Sequence, residues 1–272
     1  MRTLNQQNFK NQRVIIRVDF NVPLNEALEV TDRTRIEAAK PTIDYILEQG
    51  GSCVLLSHLG RPKGNDPKFS LSHIVETVAD VLGRPVKFYM TTVGDAAEAG
   101  AKNLEKGTGL LMENLRFHKE ETAGDILFSE KLARLGTFYV NDAFGTAHRA
   151  HASTTIIANL FKDNKCFGIL LEKEVIAIEK VMEKGEKPIL AILGGAKVSS
   201  KITIIESLLE KVDHLIIGGG MVYTFTKALG GQVGNSICEP DYCDYALELL
   251  EKAKTKGVEI HLPVDVLAGD DF

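Results

Sequence analysis

The chain has 272 residues, enough for one large or two modest domains, and its 44% hydrophobic and 25% charged residues match an ordinary globular protein. A formal net charge of −5 lacks the basic excess of a nucleic-acid binder, so any anionic ligand must be held by a local cluster of Arg, Lys and His. Residues 1–11 are polar, without the apolar stretch of a signal peptide, and no apolar run approaches the ~20 residues that span a bilayer. A cytoplasmic chain with neither membrane nor nucleic-acid partners is expected. The cysteines (Cys53, Cys166, Cys238 and Cys243) form no C-x-x-C pair and read as reduced thiols.

Short β-branched apolar runs alternate with longer helical patterns. Residues 14–18 read as a strand, and 34–48 as a helix with Ile36, Ala39, Ile43 and Ile46 on one face. A strand at 53–56, a helix at 70–82, a strand at 110–112, a helix at 126–135 and a strand at 138–140 follow. Residues 172–183 are strongly helical and lead into a polar turn at 184–188. The alternation then restarts: strand 189–193, helix 198–210, strand 214–217, helix 221–229, helix 241–256 and strand 258–262. Such β-then-α order predicts mostly parallel, doubly wound sheets. The restart predicts two α/β domains, 1–167 and 188–272, joined through a helical hinge at 168–187.

The polar residues that carry chemistry come directly after the strands. Asp19-Phe20-Asn21-Val22-Pro23 follows the first, and Ser57-His58-Leu59-Gly60-Arg61-Pro62 the second. Glu113-Asn114-Leu115-Arg116-Phe117-His118 and a segment from Asn141 through His148, Arg149 and His151 follow the other two. Ligands of an open parallel sheet bind beyond the carboxyl ends of its strands, so these segments converge on one rim. Arg61, Arg116 and Arg149 with His58 then suit a phosphorylated carboxylic acid, because guanidinium forks bind phosphate and carboxylate bidentately. Asp19 and Asn21 can hydrogen-bond a hydroxyl on the same guest. Singly, each residue has a duller reading, an Arg as a surface ion-pair partner or His118 and His151 as structural groups; the repetition at four strand ends favours a site.

The second half carries Gly194-Gly195-Ala196-Lys197-Val198-Ser199-Ser200-Lys201 between a strand and a helix, where glycine lets a backbone approach a ligand and a helix amino terminus favours phosphate. Lys197 and Lys201, four apart, would share one helix face. The segment is not a Walker loop, and Gly218-Gly219-Gly220 fails the G-x-G-x-x-G pattern, which argues against a dinucleotide-dependent oxidoreductase.

These segments, taken together and in order, resemble the phosphoglycerate kinase family. Arg17-Val18-Asp19-Phe20-Asn21-Val22-Pro23, Ser57 to Pro62, Glu113 to Phe117, Asp142 to His151, Ala191 to Val198 and Ile217 to Met221 carry the likeness. The resemblance implies two Rossmann-like doubly wound domains facing each other across a cleft, and a monomer. The first would bind 3-phosphoglycerate or 1,3-bisphosphoglycerate through Asp19, Phe20, Asn21, Arg35, His58, Leu59, Gly60, Arg61, Arg116 and Arg149. The second would bind Mg²⁺ with ADP or ATP through Gly195, Lys201, Gly219 and Gly220. Arg35 and Lys197 would be the catalytic cations of a direct in-line transfer with no covalent enzyme intermediate.

The chain departs from the family's pattern in lacking an Asn-Gly-Pro segment and a Gly-Gly-Gly-Asp-Thr loop, whose Asp would be the metal ligand. The second domain is therefore expected to be truncated and the chain to have little turnover. A non-catalytic phosphoglycerate-binding module is the alternative.

Overall fold

A computed structural model describes residues 2–267 and 269. The chain forms two compact units, Met1–Ile176 and Ala177–Phe272. Both are α/β with parallel sheets.

The first unit is built from strands β1 (Arg13–Arg17), β2 (Ser52–Leu56), β3 (Val86–Tyr89), β4 (Gly109–Met112), β5 (Phe138–Asn141) and β6 (Lys165–Phe167). Its helices are α1 (Thr34–Glu48), α2 (Val75–Leu82), α3 (Asp95–Lys102), α4 (Lys119–Ala123), α5 (Ile126–Ala133) and α6 (Phe144–Ala147). The strands hydrogen-bond in the order β3-β4-β2-β1-β5-β6, all parallel. Helices cover both faces, so the central strands read as continuous apolar runs instead of alternating ones. Val14 and Ile16 enter one core with Cys53, Leu55, Phe138, Val140 and the inner face of α1. Ile15 enters the other with Val54, Leu56, Tyr139 and α5. The chain leaves β1 toward β2 and later returns on β1's far side as β5. That reversal of strand order opens a crevice beyond the carboxyl ends of β1 and β5.

Helix α7 (Ile169–Lys184) contains the division between the units. The second unit holds strands β7 (Leu190–Gly194), β8 (His214–Gly218) and β9 (Glu259–His261) in a parallel sheet of that order, with helices α8 (Ile202–Leu208), α9 (Val222–Ala228) and α10 (Cys243–Thr255). Ile205, Leu215, Ile217, Phe225 and Leu249 make its core on one sheet face. The opposite face leaves Leu190 53% and Ile192 72% exposed. No helix among the described residues is long and apolar enough to cross a membrane.

Strands β3 and β6 and helices α3 and α4 are not apparent in the hydrophobic pattern. The two strands lie at the sheet edges, are short and carry Lys87 and Lys165, which blunts the apolar signal that inner strands show. The helix expected from residue 198 begins instead at Ile202.

Candidate functional site

Register brings four strand ends of the first unit level with one another. Arg17 pairs with Leu56 on one side and Asn141 on the other, and Leu55 pairs with Leu111. The polar segments that follow are tied together through Gly60. Its amide donates to Asn21 Oδ1 at 2.7 Å, linking the segment after β1 to that after β2. Its carbonyl accepts from Arg116 Nη1 at 2.7 Å, adding the segment after β4. Gly60 has φ +62°, and a Cβ there would lie 2.3 Å from the Phe69 ring, so the turn needs glycine on both grounds. Asn114 holds the same turn from beneath, donating to the carbonyls of Leu59 and Phe69, both at 2.8 Å.

Arg35 stands in the first turn of α1, where Asp32 accepts the Thr34 amide at 2.8 Å. It donates to Asp19 Oδ2 at 2.6 Å, aiming its guanidinium at the rim. Phe20 and Leu59, both expected at the substrate site, have buried side chains. They lie in the core with Val18, Ile36 and Leu71, and their backbones belong to the segments that follow β1 and β2. Arg61 and Arg149 are exposed, with Arg149 Nε 3.3 Å from His148 Nε2.

Beneath this rim lies a tier that strand-end reasoning does not find. Arg17, the last residue of β1, is buried on the Tyr139 side of the sheet. It donates through Nε to Ser153 Oγ at 2.8 Å, through Nη1 to the Val18 carbonyl, and through Nη2 to His58 Nδ1 at 3.1 Å. Ser153 Oγ in turn donates to Glu121 Oε1 at 2.6 Å, and its amide donates to Oε2 at 3.0 Å. Glu121 is fully buried, so the hydroxyl sits between a buried cation and a buried anion. Tyr139 fixes this turn by donating to the Ser153 carbonyl at 2.8 Å. The signal in the sequence is an Arg closing the apolar run at residues 14–16 of β1, with the acidic pair Glu120 and Glu121 shortly after Arg116.

A guanidinium has only donors, so His58 Nδ1 accepts and the ring's proton sits on Nε2. Burial first, then the neighbouring Arg17, Arg116, Arg35 and His151, hold the His58 pKa down to about 2. His58 is therefore neutral, and its 3.9 Å approach to Asp19 is not an ion pair. The Arg116 guanidinium is also lowered, by burial and then by Arg17, Arg149 and Arg61, with Glu121 opposing. Five arginines thus act on one patch, where an anion would relieve their mutual repulsion. His118 is structural: Nε2 lies 3.0 Å from Thr92 Oγ1, and its ring packs on Phe128. His151 is buried with Nδ1 3.9 Å from Glu121.

In the second unit the ends of β7 and β8 bring two glycine loops into backbone contact. Met221 donates to the Gly195 carbonyl at 2.9 Å. At Gly219, with φ +71°, a Cβ would come within 2.8 Å of the same carbonyl. Gly220 lies against Ala196, and the Lys201 stem lies over Gly195, with Cε 3.4 Å from where a Cβ would stand. Lys197 is exposed and Lys201 half-buried. They do not share a helix face, because both precede α8 in a loop. Glu239 accepts from the Ser199 amide at 3.0 Å and hydroxyl at 2.6 Å, and Ser200 Oγ bonds the Lys197 carbonyl at 2.9 Å. These side-chain bonds draw residues 197–201 away from helical pairing. The loop presents ammonium groups and close backbone, a combination suited to phosphate.

The family model for phosphoglycerate kinase matches residues 4–272. A phosphoglycerate kinase of Porphyromonas gingivalis is 48% identical over 294 aligned residues, covering 99% of this chain and 70% of that protein. A cytosolic phosphoglycerate kinase of Nicotiana tabacum is 49% identical over 270 residues, covering 99% and 67%. Among solved structures, phosphoglycerate kinase from Coxiella burnetii superposes with TM-score 0.81 at 39% identity, over 97% of this chain and 66% of that one. The enzyme from Pyrococcus horikoshii gives 0.83 at 29% identity, over 97% and 67%. The chain therefore spans about two thirds of the length of the relatives it matches.

Proposed function

The chain belongs to the phosphoglycerate kinase family, and on that footing we propose that it serves reversible phosphoryl transfer from 1,3-bisphosphoglycerate to ADP, giving 3-phosphoglycerate and ATP. The observation that carries the substrate assignment is the patch of Arg17, Arg35, Arg61, Arg116 and Arg149 around a neutral His58 at the strand-end rim. Arg61, Arg116 and Arg149 hold the substrate's remote phosphate, with His58 offering its Nε2 proton. Asp19 and Asn21 meet the hydroxyl, and Gly60 with the backbones of Phe20 and Leu59 shapes the floor.

Gly195, Gly219, Gly220 and Lys201 receive the nucleotide. Their donors fit phosphate oxygens, and the carboxylate at this loop, Glu239, is committed to Ser199, so Mg²⁺ enters as part of the nucleotide substrate. Arg35 and Lys197 supply positive charge to a loose phosphoryl transition state, which depends on positioning and charge more than on acid–base help. A cytoplasmic location accords with this chemistry.

Calorimetry of the 272-residue chain with 3-phosphoglycerate tests the substrate side. Saturable binding is expected. Arg61→Ala and Arg149→Ala should each weaken it by about tenfold or more, the worth of a charge-assisted hydrogen bond. A folded chain that binds no 3-phosphoglycerate overturns the assignment. The alternative, a non-catalytic phosphoglycerate-binding module, is not favoured by relatives named as phosphoglycerate kinases, but these 272 residues span only about two thirds of the relatives' length, so little turnover is expected of them alone. A coupled assay run beside a relative of full length should then show turnover far below the relative's; equal turnover would refute it.

A further inference from the structure

The geometry points to a divalent transition-metal site on the second unit, formed by His214, Glu259 and His261 and suited to Zn²⁺. The sheet itself assembles it. His214 opens β8 and pairs in register with Glu259, which opens β9; His261 is two residues beyond Glu259. Side chains alternate faces along a strand, so all three project from the same sheet face, opposite the buried Leu215 and Ile217. A backbone bond from the Glu259 amide to the Asp213 carbonyl, 2.9 Å, fixes the register at the start of β9. Two hydrogen-bonded strands therefore present the ligands from a rigid base.

His214 Nδ1 lies 3.1 Å from His261 Nε2 and 3.2 Å from Glu259 Oε2, and His261 Nε2 lies 3.8 Å from the same oxygen. Ligands at about 2.0–2.1 Å around a tetrahedral Zn²⁺ stand roughly 3.3–3.4 Å apart. The three donor atoms thus already lie close to the edges of one coordination face. A single N–H···N bond between the two rings would explain the first distance but not the convergence of both nitrogens on one carboxylate oxygen. It is the one such cluster of His, Cys, Asp and Glu among the described residues. Two imidazoles and a carboxylate suit Zn²⁺, Co²⁺ or Ni²⁺, whereas Mg²⁺ and Ca²⁺ prefer all-oxygen shells. Glu259 and His261 are exposed, leaving a position for water.

Titration of the metal-stripped 272-residue chain with ZnCl₂, followed by calorimetry, tests the site. One ion per chain is expected. His214→Gln and His261→Gln should each weaken binding by at least about tenfold while leaving the far-ultraviolet circular dichroism unchanged. Cys238 and Cys243, both half-exposed, are the competing soft ligands, so the double variant Cys238→Ser/Cys243→Ser should bind Zn²⁺ as the unaltered chain does. A readout that needs no variant is proton NMR: two of the seven histidine Cε1–H resonances should shift with the first equivalent. Absence of saturable binding, equal affinity in both histidine variants, or loss in the cysteine variant overturns the site.

Discussion

Arg17 and His58 share a buried hydrogen bond, and the burial that, before the neighbouring cations, holds His58 neutral makes stability depend on pH. His58, His118 and His151 all have pKa values lowered by burial before any other cause. Below the ordinary histidine value of about 6.5 the unfolded chain takes up protons that the folded first unit refuses, so stability falls as pH falls. For His58 the window runs from there down to about 2. Asp142 has the opposite sign, since burial raises its carboxyl and the folded state holds the proton, but its effect begins at the acidic end of the range. Urea denaturation should give a lower midpoint at pH 5.5 than at pH 7.5, and His58→Asn should flatten the difference; midpoints independent of pH would contradict the neutral His58. The tier below the rim makes a second prediction. Glu121→Gln removes the buried counter-charge of Arg17 and should cost about 3 kcal/mol of stability. Restoring the carboxylate at Ser153 with Ser153→Asp in the Glu121→Gln background should recover part of it, and no loss in the single variant would show that Arg17 is compensated elsewhere.

At the scale of elements, the turns after the strands hold the site more than the strands do. The Gly60 turn receives Asn21, gives its carbonyl to Arg116 and rests on Phe69. Gly60→Ala combines a left-handed backbone conformation with a clash at 2.3 Å from the Phe69 ring. It should weaken 3-phosphoglycerate binding by about tenfold or more and cost roughly 1–3 kcal/mol of stability. Calorimetry and urea titration measure both, and an alanine variant equal to the parent would refute the tie. This turn was legible in sequence because its polar residues recur after strands whose apolar runs are plain. Arg17 was not, since a charged residue ending a strand looks like the edge of the apolar signal until Ser153 and Glu121 fold against it. The start of α8 was misplaced for a related reason: Glu239, 40 positions away, holds Ser199 out of the helix. The cluster of His214, Glu259 and His261 is equally silent, because its spacing exists only across the β8–β9 ladder.

For the whole molecule, the alternation of strand and helix was readable apart from β3, β6, α3 and α4, and the unequal coverage of the two sheets was not. Both sheets give apolar runs of similar strength, yet among the described residues the first unit packs a core on each face of its sheet and the second on one face. Burial of apolar area is the main stabilising contribution, about 25 cal/mol per Å², so the second unit carries less of it per strand. Leu190 and Ile192, 53% and 72% exposed, also leave β7 open to solvent. The two units of the 272-residue chain should therefore lose structure separately, the second first. Hydrogen exchange read by mass spectrometry should show amides of β7 and β8 exchanging well before those of β1, β2 and β5. Ile192→Lys should reduce binding of a hydrophobic dye without changing protection in the first unit, since Ile192 faces away from the second unit's core. Uniform protection across both sheets, with a single urea transition, would mean that the open face of β7 carries no cost in this chain.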